Sequence, residues 1–275
     1  MREIWAIFYR NFLNFSRDRM RVILTFAMSL FLLFVFSFVM KSSMTEMIKS
    51  PMNYLISGII IMTVFQTALN NSTSILEDIS SGFMKEIIIS PISRWRISVG
   101  QILSSSVIAI IQGILVLVMG LFFGLSVDFP TFLELIGIMA VVGATFSSMG
   151  LFLATVAKSS STFQTMATVL VMPLTFLSGA YIPTTILPKF LMPIIYINPL
   201  TYVTSVFRYV TMKMWNVPTA QLIKEGVAFN VHGFIIMPQL GFLFIILMGF
   251  LFFGLSVRKF SKADFSTIRV LKLKH

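Results

Sequence analysis

Long apolar stretches without a charged residue alternate with short polar segments along this chain. Six of them are long enough to form a membrane helix: residues 22–40, 52–76, 97–127, 135–157, 163–182 and 234–257. About 20 apolar residues in a helix cross the ~30 Å hydrocarbon core of a bilayer. The pattern therefore predicts an all-α polytopic membrane protein with six transmembrane helices.

The first 21 residues follow a different pattern, in which apolar and charged side chains separate at the helical period. A rotation of about 100° per residue places the two sets on opposite sides of a helix. The apolar face holds Ile4, Trp5, Phe8, Phe12 and Phe15, and the charged face holds Arg2, Glu3, Arg10 and Arg17. We expect residues 1–21 to form an amphipathic interfacial helix in the headgroup plane. A basic leader with accidental periodicity is the alternative.

Prolines interrupt the pattern between the fifth and sixth stretches. They lie at positions 183, 188, 193 and 199, and they bound two short apolar pieces, residues 186–197 and 200–214. Each piece is too short to span a bilayer but apolar enough to enter it, which predicts short re-entrant or interfacial helices. A tight turn is expected at residues 128–134, which contain Pro130, and a polar loop at residues 215–232.

Composition supports a single membrane domain. The 275 residues are 57% hydrophobic and 11% charged, whereas soluble domains carry roughly 25% charged residues. We divide this one permease domain, 1–275, into the interfacial helix (1–21), spans one to five (22–182), external re-entrant helices (183–214), span six (234–257) and a basic tail (258–275). The chain contains no cysteine, which excludes disulfides and thiolate chemistry.

The net charge of +11 is distributed unevenly. With six spans, fifteen of the 21 lysines and arginines fall on the side of the two termini: five in residues 1–21, three in 77–96, Lys158 and six in the tail. Basic residues concentrate on cytoplasmic loops, where they meet anionic lipid headgroups. We therefore expect a multi-pass protein of the cell membrane with both termini in the cytoplasm, in contact with lipid and not with nucleic acid.

Catalytic and nucleotide-binding motifs are absent from the sequence. Neither a Walker A motif nor an H-E-x-x-H motif occurs, and no acidic residue lies well inside a span. We expect no catalytic residue and no metal site. The spans do contain neutral polar residues, of which Gln66, Asn70 and Gln164 are candidates for a substrate path. The alternative for these residues and for Gln112 is hydrogen bonding between helices.

The segment between the second and third spans predicts a small amphipathic helix. After Gly82, Phe83 and Ile87 are spaced i, i+4, and Pro91 ends the helix. Such a helix on the cytoplasmic side either rests on the membrane or docks into a groove of a soluble partner.

Two segments resemble one transporter family. The run G-F-M-K-E-I-I-I-S-P-I-S-R, residues 82–94, resembles the cytoplasmic loop of type-2 ATP-binding-cassette (ABC) exporter permeases. The segments L-S-G-A-Y-I-P-T-T-I-L-P-K-F-L and I-N-P-L-T-Y-V-T-S-V-F-R, within residues 177–208, resemble the family signature between spans five and six. The form L-S-G-A-Y-I-P is closer to the daunorubicin-type drug exporter branch than to the polysaccharide branch.

The resemblance implies a complex of two permease copies, expected as a homodimer, with two separate ABC ATPase subunits. ATP and Mg would bind to those partners, so this chain would hold no cofactor and would not be an enzyme by itself. Residues 1–21 would be the connecting helix. The implied ATPase-coupling residues are Gly82, Phe83, Met84, Lys85, Glu86, Ile87, Ser90 and Pro91. The implied external gate comprises Gly179, Pro183, Pro188, Asn198 and Pro199; a static cap over the dimer is the alternative.

The function that follows is ATP-driven export of an amphipathic drug, lipid or peptide-like molecule from the cytoplasm. A polysaccharide or glycolipid exporter permease of the same family is one alternative. A secondary carrier or channel without an ATPase is a second, although the missing intramembrane carboxylates disfavour proton coupling. A membrane scaffold or sensor without transport is a third.

Overall fold

A computed structural model describes residues 2–43, 50–81, 93–157, 159–231 and 233–262. The described helices before residue 177 are α1 (Arg2–Arg17), α2 (Arg19–Ser43), α3 (Pro51–Asn70), α4 (Thr73–Ser80), α5 (Arg94–Phe122), α6 (Phe129–Val156) and α7 (Ser160–Phe176). Those after it are α8 (Met192–Ile197), α9 (Pro199–Thr211), α10 (Thr219–Lys224) and α11 (Pro238–Lys262).

Helix α3 is the centre of the bundle. Its side chains from Tyr54 to Phe65 are all buried, and it packs against α2, α5, α6 and α9. Helix α11 covers the outside of α6 and α9. In contrast, α2 exposes most of its apolar residues. A chain in water could not leave such a surface uncovered, so lipid or another membrane chain must cover it.

Five helices of the described chain are long and apolar enough to cross a membrane. They lie at Arg19–Phe38, Pro51–Ile79, Arg94–Phe122, Phe129–Val156 and Pro238–Phe260. Lys189–Ile197 and Pro199–Thr211 form a pair bent by 83°, which is the geometry of a broken span or a re-entrant loop. These features confirm an all-α polytopic membrane protein with five or six candidate spans. The count of six, the interfacial position of α1 and the re-entrant assignment stay predictions.

The predicted fifth span is shorter than expected. Helix α7 has 17 residues and ends at Phe176 instead of Ile182, which corresponds to a length of about 25 Å. Two residues explain the early end. Pro173 lies inside the helix and cannot donate to its hydrogen-bond ladder, and Gly179 has a φ of +81° that no helix accommodates.

Two predicted connections are regular structure instead. The turn expected at residues 128–134 is the start of α6, because Asp128 is the N-cap and Pro130 lies in the first turn, where its missing N–H costs nothing. The polar loop expected at residues 215–232 contains α10 and the strand β1 (Phe229–Val231), which pairs antiparallel with β2 (Phe234–Ile236). A hairpin this short carries too few alternating residues to be recognised from sequence.

Residues 177–237, which we call the cap, cover one end of the bundle. Besides α8 to α10 and the hairpin, the cap contains three short 3-10 turns at Thr184–Ile186, Lys189–Leu191 and Met214–Asn216. Helix α9 is its buried element, with all thirteen side chains except that of Pro199 inaccessible.

Candidate functional site

A cleft of about 420 Å³ lies between α2, α3, α5 and α7. Its lining consists of Arg21, Leu24, Thr25, Met28, Ser29, Leu32, Ile59, Thr63, Gln66, Thr67, Asn70, Thr73, Gln112, Gln164 and Tyr181. Along α3 the lining runs from Ile59 to Asn70, a distance of about 16 Å at the helical rise. The cleft therefore extends over about half of the hydrocarbon thickness.

The three residues predicted for a substrate path come together on this cleft. Gln66 and Asn70 are one helical turn apart on α3, and Gln164 reaches the cleft from α7. None of the hydrogen bonds in the described part of the chain involves these three side chains. Their amides are therefore available to a ligand.

Gln112 shows that the alternative holds for one polar residue of the spans. Its Oε1 accepts a hydrogen bond of 2.6 Å from the hydroxyl of Thr67, which joins α5 to α3. Its Nε2 has no partner among the described residues, even though the side chain is only 2% exposed. Gln112 thus connects two helices and keeps a buried amide donor without a partner among the described residues.

The α2 side of the cleft combines apolar and polar residues. Leu24, Met28 and Leu32 line it together with Thr25 and Ser29, and Ile59 adds an apolar residue from α3. The flexible thioether of Met28 can adapt to varied apolar ligands. The cleft therefore offers both hydrogen bonds and hydrophobic contact, which is the combination that an amphipathic molecule requires.

Arg21 marks one end of the cleft. Its Nη2 donates to Oδ1 of Asn71, which lies in the break between α3 and α4. The same guanidinium lines a smaller, polar pocket of about 190 Å³ that also contains Asn11, Asp18 and Gln101. Arg21 therefore separates the cleft from a polar pocket next to α1.

Helix α1 binds both flanks of the predicted coupling segment. Arg10 forms an ion pair of 2.5 Å with Asp78 at the end of α4, and Glu3 forms one of 2.6 Å with Arg96 at the start of α5. The coupling residues themselves, from Gly82 to Pro91, lie outside the described residues. What the structure shows is that the chain on either side of them is joined to the same helix.

Helix α1 exposes one end of its predicted apolar face and buries the other. Trp5 is 62% exposed and stacks on Phe8 at a centroid distance of 5.0 Å, whereas Phe15 is buried. Asn11 is also buried, and its Nδ2 donates to Gln101 Oε1 at 2.7 Å and to Ser104 Oγ at 2.9 Å. Gln101 in turn donates to Ser74 Oγ. A polar network therefore joins α1 to the bundle beside the buried Phe15.

The predicted gate residues have structural roles within the cap. Asn198 caps α9 by accepting from the N–H of Leu200 at 3.0 Å, and its Nδ2 donates to the carbonyl of Leu174 at 2.7 Å. Pro199 is the first residue of α9, where proline is favoured. Pro183 and Pro188 each precede a 3-10 turn, and Pro183 is buried whereas Pro188 is exposed.

Gly179 lies at the point where the cap is attached to α3. Its carbonyl accepts from the Tyr54 hydroxyl at 3.0 Å and from Arg208 Nη2 at 3.1 Å. Two residues later, Tyr181 stacks on Phe36 of α2 at 5.1 Å and lines the cleft. The cap is therefore in direct contact with the end of the cleft opposite Arg21.

Several residues of the site were not predicted from sequence. In the sequence, Arg21 is only one of several basic residues near the N-terminus, and Asn11 lies between the two faces of the predicted amphipathic helix. Tyr54, whose hydroxyl attaches the cap to α3, lies in a span and nothing in its sequence context distinguishes it.

Comparison with known families assigns most of the chain to one of them. The sequence profile described as "ABC-2 type transporter" matches residues 2–212. This range includes α1, the cleft and the cap as far as the end of α9.

Named relatives agree with that match. The chain is 26% identical over 218 residues to "Putative transport permease ycf38" of Cyanophora paradoxa, covering 76% of this chain and 74% of the relative. It is 28% identical over 189 residues to "Inner membrane transport permease YadH" of Escherichia coli (strain K12), covering 68% and 73%. It is 23% identical over 167 residues to "Probable multidrug ABC transporter permease YbhR" of the same strain, covering 58% and 45%.

Proposed function

This chain belongs to the ABC-2 type transporter family, and on that premise we propose that it is the permease subunit of an ATP-driven exporter. Its relatives are named transport permeases, so its role is transport and not catalysis. ATP and Mg would bind to two separate ATPase subunits. The exported molecule would be amphipathic, moving from the cytoplasm outward through the bundle.

The observation that carries this proposal is the cleft and its mixed lining. A cavity of about 420 Å³ inside a membrane bundle, lined by amides, hydroxyls and aliphatic side chains, matches the size and chemistry of small-molecule sites. Gln66, Asn70 and Gln164 contribute polar groups that have no hydrogen-bond partner among the described residues.

The attachment of α1 supports coupling to an ATPase. A force applied to residues 82–92 would reach α4 through Asp78 and α5 through Arg96, and both residues are paired with α1. Rigid-body movement of packed elements is a common way to transmit such a force. We propose that Gly82, Phe83, Met84, Lys85, Glu86, Ile87, Ser90 and Pro91 form the helix that docks in the ATPase.

The cap supports a gate at the far end of the cleft. Gly179 and Ala180 are attached to α3, and the next residue, Tyr181, contacts both α2 and the cleft. We propose that the cap residues Gly179, Pro183, Pro188, Asn198 and Pro199 rearrange when α2 and α3 move apart. A static cap is the competing account of the same contacts.

A second permease copy would cover α2. Phe31, Phe34 and Phe38 are all more than half exposed along this helix, and the cleft opens beside it. We propose a homodimer in which these faces meet.

For the substrate we favour the drug-type branch, because one relative is named a probable multidrug permease. A polysaccharide or glycolipid substrate is the alternative within the family.

We expect the double variant Met84→Asp and Glu86→Ala to abolish stimulation of ATP hydrolysis by the permease. The first change places a charge on the apolar face that would dock in the ATPase, and the second removes a charged side chain beside it. The measurement is ATP turnover of the reconstituted complex in liposomes. Glu134→Ala, an exposed change at the start of α6, is the matched control and should leave turnover unchanged. Equal stimulation by the double variant would contradict the docking proposal.

The proposed orientation can be tested because the chain lacks native cysteine. Ser81→Cys and Asn216→Cys each introduce one thiol at an exposed position, beside the coupling segment and in the cap respectively. A membrane-impermeant maleimide should label position 216 on intact cells and position 81 only after permeabilisation. The reverse pattern would place the coupling segment outside the cell and exclude an ATPase partner there.

A further inference from the structure

The described lining of the cleft carries positive charge and no negative charge. Arg21 is the single charged side chain in its described lining, and no aspartate or glutamate borders it there. The amides of Gln66, Asn70 and Gln164, which have no hydrogen-bond partner among the described residues, can donate to an anionic group as well. The cleft is therefore complementary to an acceptor-rich, negatively charged group.

Carboxylates close to Arg21 lie on its other side. Asp18 and Glu77 belong to the adjacent polar pocket with Asn11 and Gln101, not to the cleft. No salt bridge to Arg21 forms within the described part of the chain, where its side chain donates to Asn71. The guanidinium is positioned by an amide and keeps donors for a second partner, since it carries five N–H groups.

Three apolar residues of α2, which we call the apolar wall, begin one turn beyond Arg21. Leu24 and Met28 follow it on the same helix at spacings of three and seven residues, and Leu32 continues the series toward Tyr181. A molecule with its polar group at Arg21 would lay its chain along these side chains. The spacing i, i+3, i+7 puts all of them on one face of α2.

We infer that the cleft binds an acidic amphiphile, with its anionic group at Arg21 and its apolar chain along α2. The claim that the ligand is exported rests on the proposed function. The claim that it binds in the cleft does not. This inference narrows the exported class to molecules that carry a phosphate, sulfate or carboxylate at one end. Arginine suits such groups because it binds their oxygens with two parallel hydrogen bonds.

The test uses the full-length chain in nanodiscs of phosphatidylcholine, without any ATPase. The probe is dodecyl phosphate with a photoreactive diazirine on its chain, compared with the matched dodecanol and dodecyl trimethylammonium probes. We expect the phosphate probe to label α2 and α3 at the lowest concentration. Equal labelling by the three probes would overturn the inference, because the apolar wall alone would then explain binding.

The decisive variant is Arg21→Gln, which should weaken labelling by dodecyl phosphate about tenfold or more, the effect of losing one charge-assisted hydrogen bond. Labelling by dodecanol should not change. Arg19→Gln removes an exposed arginine from the same end of α2 and is the matched control. Arg21→Lys should restore part of the affinity, which separates loss of charge from a fold defect. An unchanged affinity in Arg21→Gln would contradict the inference.

The acidic group could belong to a bilayer phospholipid or to an exported molecule. Nanodiscs of phosphatidylglycerol distinguish the two, because a resident lipid would then compete with the probe. We expect dodecyl phosphate to label the chain in these nanodiscs as well, because a transported ligand has to bind in the presence of bilayer lipid. Loss of this labelling would overturn the assignment to a transported ligand. The ATPase experiment above is independent, so failure of either test can be told from failure of the other.

Discussion

Replacing Gly58 by alanine is expected to detach the cap from the bundle. A β-carbon at this position of α3 would lie 2.1 Å from the carbonyl oxygen of Ala180 and 2.8 Å from its carbonyl carbon. Both groups are backbone and fully buried, so no side-chain rotation can relieve the contact. Overpacking a core with a single group typically lowers stability by about 1–3 kcal/mol. Because this clash is with the backbone, we expect a loss of about 3 kcal/mol or more.

The consequence is a loss of folded protein, measured as a lower unfolding temperature and a smaller monodisperse fraction in detergent. Gly137→Ala is the matched control, because it also adds a methyl group to a helical glycine but meets nothing within 4 Å. Alanine favours a helix over glycine by up to about 1 kcal/mol, so Gly137→Ala should be neutral or slightly stabilising. Equal unfolding temperatures for the two variants would show that the cap does not press on α3.

Arg208→Leu is expected to destabilise the protein by about 3–5 kcal/mol, the range for breaking a buried charged interaction on one side only. Arg208 is 1% exposed, and its Nη2 donates to the carbonyls of Gly179 at 3.1 Å, Tyr54 at 3.3 Å and Ala180 at 3.4 Å. Its guanidinium carbon lies 3.2 Å from the centroid of the Tyr54 ring. Leucine would replace none of these contacts. The unfolding temperature of the purified chain is the measurement.

The buried acid Glu225 allows a double-variant test of the role of Arg208. Its Oε1 accepts from Gln221, its Oε2 has no hydrogen-bond partner among the described residues, and it attracts the charge of Arg208. Removing only Arg208 takes away the electrostatic attraction between this carboxylate and the guanidinium. The double variant Arg208→Leu and Glu225→Leu should therefore lose less stability than the sum of the two single changes.

Two further variants define what is special about Arg208. Arg208→Lys keeps the charge but not the planar group that lies on Tyr54 and reaches several carbonyls, so it should recover little stability. Lys213→Gln, two residues after α9, removes a half-exposed ion pair of 3.0 Å with Asp128 and should change stability little. A similar loss in Lys213→Gln would mean that any charge change in the cap destabilises it.

The long helices of the bundle were predictable because the bilayer imposes a simple requirement on each of them. A stretch without charges that is long enough to cross the core needs no knowledge of its neighbours, and α2, α3, α5, α6 and α11 all follow this rule. The errors lie at helix ends. Local hydrogen bonding decides these positions, as the N-cap at Asp128 and the interruption near Pro173 show.

The candidate site was predictable only in part. Gln66 and Asn70 share a helix face by their spacing of four, but their meeting with Gln164 depends on how α3 and α7 pack. Asn11 is 90 residues from Gln101 in the chain, and the hydrogen bond between them accompanies the burial of Asn11. The spacing of hydrophobic residues along one helix carries no information on a polar partner in another helix.

The sequence by itself determined that this protein is a polytopic helical permease, because apolar length and the two family-like segments are properties of the chain read in order. Only the tertiary structure decided that Arg21 faces a cleft, that Arg208 attaches the cap to α3, and that α1 joins both flanks of the coupling segment. These features arise from contacts between residues far apart in the chain. Their strength comes from burial and from hydrogen-bond partners, neither of which exists until the helices have packed.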